Sequence, residues 1–276
     1  MTHHRLAEIA AKVTRLFPPV WGAGVAAESI RRLALSGGRT AGMVRACVNG
    51  LEMTLSLSEL TEAALFFYPQ LYNRREIAFL KSVLRPGDTF VDVGANIGFF
   101  SLTLASQVGP LGSVIGIDAD EYSCTRLELA AKENGIQNLR VALVAVGDRE
   151  GRAELVIQGS GNRGNSSVRV MEGAEATQGN GIRCATLPTI LEEFGATRVR
   201  AMKIDVEGAE LNALDQLLSA GGQFFKPYAL VVEDFRDRHF GALHRLLVSS
   251  GFQRVGGSAE NGFYLSTSPA PLDSLH

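Results

Sequence analysis

Cysteine is scarce. Cys47, Cys124 and Cys184 are the only three, far apart, and none forms a C-x-x-C pair. That spacing excludes a paired disulfide framework and an obvious zinc site, and it fits a reducing, cytoplasmic setting. Long apolar runs are also missing. No stretch approaches the roughly 20 residues of a membrane-spanning helix, and the N-terminus lacks the apolar core of a signal peptide. Net charge is small, −2, which gives no general attraction to nucleic acid. There is no internal repeat. What remains is a chain of 276 residues, ample for one α/β domain with an appendage.

The small net charge hides an asymmetry. Residues 1–45 hold seven Lys/Arg against two acids, +5, and leave −7 for the remainder. Residues 5–17 have helical spacing, with Leu6, Ile9, Val13 and Leu16 on one face, and Pro18-Pro19 ends them. Residues 25–35 read as a second helix. The pair suits a helical cap that pairs chains into a homo-oligomer or admits substrate. The alternative is a basic amphipathic surface for peripheral contact with anionic lipid.

Residues 43–57 alternate in part around Asn49-Gly50, a type I′ hairpin signal. Helix returns over 58–84, one segment starting at Ser58 and another capped by Asn73. From residue 90 strands and helices alternate, which predicts a parallel sheet covered on both faces. Strands are expected at 90–93, 114–118, 139–146, 153–158, 181–185, 199–205 and 229–233. A closing antiparallel pair is expected at 252–256 and 262–267. The expected organisation is an N-terminal cap and hairpin over 1–60, a catalytic domain over 61–267, and a disordered tail over 268–276.

The most informative stretch is Phe90-Val91-Asp92-Val93-Gly94-Ala95-Asn96-Ile97-Gly98. It reads as a buried strand, a glycine turn and a helix start capped by Asn96. A dinucleotide site calls for G-x-G-x-x-G aimed at a pyrophosphate. Here an acid stands two residues before the first glycine. A carboxylate there repels a pyrophosphate and suits a cofactor with an ammonium group. In such sheets ligands bind at the carboxyl ends of strands, and the polar residues placed there follow. Asp118, 26 positions after Asp92, can accept both hydroxyls of a ribose, while Asp120 is better placed to cap the next helix. Asp148 follows the third strand and can accept from an adenine amino group. Lys203-Ile204-Asp205-Val206-Glu207-Gly208-Ala209-Glu210 sets Lys203 and Asp205 on one face of a strand. A lysine in a buried strand needs a partner, and Asp205 is the near one. Glu233 and Asp234 end the next strand. First-turn acids also serve the helix dipole alone, which is the plain alternative for Glu207 or Glu210.

The Asp92–Gly98 turn, Thr186-Leu187, the block Lys203–Glu210 and Val231-Val232-Glu233 together resemble the FkbM family of S-adenosylmethionine (SAM) dependent methyltransferases. The resemblance covers about residues 65–255. It implies a Rossmann-like, seven-stranded class I methyltransferase sheet and transfer to a hydroxyl of a sugar, glycoconjugate or polyketide-type small molecule. It also implies a SAM site at Asp92, Gly94, Ala95, Asn96, Gly98, Asp118, Ala119 and Asp148, with the acid and turn holding the methionine end. Two positions depart from the family: Asp118-Ala119 replaces its common Glu-Pro, and Pro188 replaces an aspartate after Thr186-Leu187.

An alcohol attacks a sulfonium methyl only once its proton is taken. Asp205, Glu207 and Glu233 are the expected catalytic carboxylates, with Lys203 as counter-charge. A divalent metal held by Asp205, Glu207, Glu233 and Asp234 is the other route. His239 is a further candidate base, whereas His244 reads as packing. Competing classes are a non-catalytic SAM-binding protein and a small-molecule N-methyltransferase. A nucleic-acid partner is not expected, because Asn-Pro-Pro-Tyr is absent and the main domain is acidic.

Overall fold

The computed structural model describes residues 3–20, 22–36, 42–156, 167–171, 181–196, 198–219, 225–234 and 241–268. They fall into two compact units that divide between Arg74 and Arg75, beyond the boundary expected at residue 60.

The first unit holds α1 (His3–Thr14), α2 (Ala23–Leu35), the hairpin β1 (Met43–Val48) and β2 (Leu51–Ser56), and α3 (Leu60–Phe67). Val48 pairs with Leu51 across the turn. Asn49 and Gly50 take φ of 50° and 93°, the left-handed pair that a type I′ turn requires. α3 is capped at Glu59, not Ser58, and buries Ala63 to Phe67. The face of α1 that turns inward is not the one that carries the large apolar residues. Ala7, Ala11 and Thr14 are buried, whereas Leu6, Ile9, Val13 and Leu16 are exposed. Small residues let α1 approach closely enough for side chains to serve the end of α3. The Thr14 hydroxyl donates to Phe67 O, and the Arg15 guanidinium donates to Phe66 O at 2.8 and 3.1 Å. Those bonds satisfy carbonyls that a helix end leaves without partners.

In the second unit α4 (Arg74–Val83) precedes β3 (Thr89–Val93), α5 (Phe99–Val108), β4 (Ser113–Asp118), α6 (Glu121–Glu133) and β5 (Leu139–Leu143). After a smaller sheet come α7 (Leu187–Glu193), β10 (Ala201–Ile204), α8 (Glu210–Ser219), β11 (Ala229–Glu233), α9 (Ala242–Ser249), β12 (Phe252–Gly257) and β13 (Asn261–Ser266). The main sheet has seven strands in the order β12-β13-β11-β10-β3-β4-β5. β13 runs antiparallel between β11 and β12, and the other neighbours are parallel. This is the Rossmann-like class I methyltransferase sheet expected from the sequence.

Both faces are covered. Val91, Val93, Ile115, Ile117, Met202, Ile204, Leu230 and Val232 pack with Leu187 and Ile190 of α7, Leu214 and Leu217 of α8 and Leu247 of α9 in one core. Period two turns Phe90, Asp92 and Lys203 the other way, toward α5, where Ser101 bonds Asp92.

The expected third strand is broken. Val144 N donates to Asp118 O, and β6 (Ala145–Val146) leaves the main sheet to pair with β9 (Ile182–Ala185). β7 (Gly151–Val156) joins β9 and β8 (Ser167–Val170) antiparallel. The sequence pattern had assigned these strands to the parallel sheet. Short apolar runs carry no record of which sheet they join. His239 and most of the 159–167 loop and the tail lie outside the described residues. No described helix is long and apolar enough to cross a membrane.

Candidate active site

Strand order reverses between β3 and β10. From β3 the chain builds outward through β4 to β5, then returns to lay β10 against the other edge of β3. A crevice opens at such a switch point, at the carboxyl ends of the two strands. Gly94 and Asp205 stand there.

Gly94 has φ +74°, and a Cβ built on it would lie 1.8 Å from Asp205 O. Its N–H and that of Ala95 both donate to Ile117 O, and Asp205 N donates to Val93 O. The turn is therefore tied to both neighbouring strands. Asn96 is left-handed at φ 50°. It does not cap α5 as expected; Gly98, at φ 87°, is the cap residue. The Asn96 carboxamide oxygen accepts from Ile97 N at 2.7 Å, which holds the turn open before the helix begins.

Asp92 is fully buried. Its Oδ2 accepts from Ser101 N at 3.0 Å and Ser101 Oγ at 2.6 Å. Lys203, its direct neighbour in the sheet, brings Nζ to 3.7 Å from Asp92 Oδ1 and 3.4 Å from Asp205 Oδ2. The same ammonium donates to Gly94 O at 2.9 Å and lies 5.3 Å from the Phe100 ring centroid. Burial pushes the Asp92 carboxyl above its ordinary range, and Lys203 and Ser101 draw it back. Lys203 thus braces the turn, the buried acid and Asp205 together. The Asp92 contact has a sequence signal only once β3 and β10 are known to be neighbours.

Asp118 ends β4. Asn96 N donates to its Oδ2 at 2.7 Å and Asp120 N to its Oδ1 at 2.8 Å. Two backbone donors orient the carboxylate and leave further lone pairs. Burial pushes its pKa up against those donors. Asp120 caps α6 as expected, accepting from Tyr122 N and Ser123 Oγ. Ala119 is buried and Asp148 is exposed in the turn after β6.

The carboxylates sort differently from expectation. Asp205, Glu210 and Glu233 each bring an oxygen within 4.8 Å of the others. Glu210 is buried, and its Oε1 accepts from Val206 N at 2.9 Å and Gly208 N at 3.1 Å. It closes the 206–208 turn in the manner of a capping side chain, a role the first-turn reading missed. Glu207 has a left-handed backbone, φ 54°, which breaks the strand's alternation. Asp234 accepts from Arg254 at 2.8 Å. The four acids named for a metal therefore do not form one group among the described residues. His244 packs as expected, with Nδ1 3.2 Å from Tyr264 Oη.

These residues fit a cationic nucleoside. Gly94 lets the turn lie directly against the Asp205 backbone, and Asp118 offers an oriented acceptor for a diol. Carboxylates outnumber cations at the strand ends, where Lys203 is buried between Asp92 and Asp205. The family model for the Methyltransferase FkbM domain matches residues 92–254, more than half of the chain. The chain belongs to the FkbM methyltransferase family. This FkbM protein is accordingly a SAM-dependent methyltransferase.

Among solved structures, an FkbM methyltransferase from Methylobacillus flagellatus KT aligns at a TM-score of 0.44 and 17% identity, over 74% of this chain and 54% of that one. An rRNA methylase from Streptococcus thermophilus aligns at 0.39 and 14%, over 69% and 92%. A curated relative from Psychrobacter arcticus, 23S rRNA (uracil(1939)-C(5))-methyltransferase RlmD, is 40% identical over 55 residues, 20% of this chain. The chain spans only 11% of that relative's length. The match to RlmD corrects the expectation that nucleic acid is excluded as a partner. That exclusion rested on net charge, which sums over the whole surface and does not report local patches, and on one absent motif.

Proposed function

We propose that this FkbM methyltransferase acts on a hydroxyl of a sugar, glycoconjugate or polyketide-type small molecule. The observation that carries the reading is the convergence of Asp205, Glu210 and Glu233 within 4.8 Å, beside the Gly94 turn. SAM supplies an electrophilic methyl group on a sulfonium when bound. Asp118 is assigned to its ribose diol, and the Gly94–Asn96 turn to the close approach of its amino-acid end. Asp205 is assigned as the base. Its side chain is 39% exposed and so reachable, and Lys203 at 3.4 Å holds one of its oxygens. The Asp205 carboxylate would take the acceptor O–H proton, and bound SAM would supply the methyl group that the oxygen receives. Glu233 orients the acceptor from the adjacent strand, and Glu207 lines the same turn.

The test is methyl transfer from labelled SAM to a panel of sugar and polyketide alcohols, small amines and RNA. Asp205→Asn keeps the shape and removes the charge. Turnover on an alcohol should fall about 10²-fold or more while SAM affinity is kept, and chelator should leave activity unchanged. Near-normal turnover in that variant removes Asp205 as base. Activity on amines or RNA alone overturns the hydroxyl reading. Loss with chelator that Mg²⁺ restores replaces the base with a metal.

A further inference from the structure

The first unit turns its large apolar side chains outward. On α1, Leu6, Ile9 and Val13 are 43%, 48% and 45% exposed, and Leu16 and Val20 continue the ridge at 83% and 61%. α2 adds Val25 and Leu33 at 74% and 77%. The inward positions of both helices hold Ala7, Ala11, Ala23 and Ala27. Large apolar groups gathered on one helix face, as Leu6, Ile9 and Val13 are on α1 at about 100° per residue, commonly mark an interaction surface.

Charge indicates what covers it. At about 100° per residue, Arg5 and Lys12 fall along one border of the α1 ridge, and both are exposed. Glu8 lies on the far side of Lys12. Over residues 3–36 the exposed cations are Arg5, Lys12 and Arg32 and the exposed acid is Glu8, whereas Arg31 is buried against Glu28 and Arg15 is tied to Phe66 O. Glu28 is already held by Arg31, Arg32 and Tyr68. A second copy docking by a two-fold axis would set this positive patch on itself. An anionic lipid surface complements it. An amphipathic helix of low net hydrophobicity, with cations beside a large apolar face, lies in the plane of a membrane interface.

We propose that α1 and α2 seat the protein on an anionic membrane surface. Leu6, Ile9, Val13 and Leu16 enter the headgroup boundary, and Arg5 and Lys12 meet lipid phosphates. The proposal is independent of the methyl acceptor. The test is co-sedimentation of the full chain with vesicles of phosphatidylcholine alone or with about one-third phosphatidylglycerol. Binding is expected only with the anionic vesicles and should weaken as salt rises. Ile9→Glu/Leu16→Glu should weaken it by roughly tenfold or more. Arg5→Gln/Lys12→Gln, which leaves the apolar ridge intact, should weaken it several-fold at an unchanged unfolding temperature, and it decides the question if the first variant does not fold. No binding to anionic vesicles overturns the proposal, as does equal binding by the Arg5/Lys12 variant. A dimer in light scattering that Ile9→Glu/Leu16→Glu dissociates overturns it in favour of contact between copies.

Discussion

Helix α1 of the first unit and the sheet of the second bury opposite kinds of residue. In the second, Val, Ile and Leu of the sheet interior pack with Leu-rich helix faces in one core. In the first, alanines and Thr14 face inward on α1, and leucine, isoleucine and valine face out. A large apolar side chain gains free energy wherever it leaves water. Its position therefore reports that it will be covered, and does not name the partner. In the second unit the cover is the sheet itself.

Glycine sharpens the contrast most. Gly22 in the first unit and Gly94 in the second both have φ near +80°, but a Cβ on Gly22 meets nothing within 4 Å. Gly22→Ala should cost only backbone strain, about 1 kcal/mol. Gly94→Ala adds a collision with Asp205 O, so it should cost several kcal/mol and abolish SAM binding. Thermal unfolding and calorimetry read both, and equal losses would break the comparison.

Ion pairs differ in the same sense. Lys203 is 7% exposed between two acids, whereas Arg45 and Glu52 pair at 3.3 Å with 61% and 47% exposure. Lys203→Met leaves Asp92 and Asp205 without their cation and should destabilise by roughly 3–5 kcal/mol. Arg45→Met should cost less than about 1 kcal/mol. Denaturant unfolding of the two variants separates them.

Packing should invert the usual rule. Ala11→Leu overfills the α1 contact and should cost about 1–3 kcal/mol. Leu16→Ser, at 83% exposure, should stay within about 0.5 kcal/mol. A larger loss for Leu16→Ser would mean that its face is covered within the chain.

The pH dependence extends the comparison to one acid of the second unit. The Asp118 carboxyl is raised by burial, so the folded chain binds that proton more tightly than the unfolded chain does. Its contribution therefore opposes stability progressively as pH rises from the unfolded value, about 3.9, through the raised folded value. The diol contact proposed for Asp118 would use the carboxylate, so SAM affinity should already weaken on acidification above that ordinary value. Asp118→Asn should flatten the dependence in a calorimetric pH series and lower affinity by about 1.5–3 kcal/mol at neutral pH. An unchanged pH profile removes Asp118 from the cofactor site.

Much of the site was legible because its determinants are local. The acid and glycines of the first turn, Asp118 at a strand end and Asp205 beside Lys203 are short-range patterns. So is the Asn49-Gly50 turn, whose φ values depend on those two residues. Glu210 was misread because its partners, Val206 N and Gly208 N, belong to a turn whose shape the strand period does not dictate. Asp234 was misplaced because Arg254 reaches it from β12.

The sequence by itself determined the element types of the second unit, the glycine turn after β3 and the charged residues around it. Periodicity, glycine spacing and a buried lysine constrain those regardless of what packs around them. Tertiary structure alone decided that β6 leaves the main sheet and that Lys203 answers Asp92 as well as Asp205. It also decided that Glu210, not Asp234, joins Asp205 and Glu233, and that the apolar face of α1 looks outward. Each of these depends on which strands and helices become neighbours, and burial and pairing free energies accrue only between neighbours.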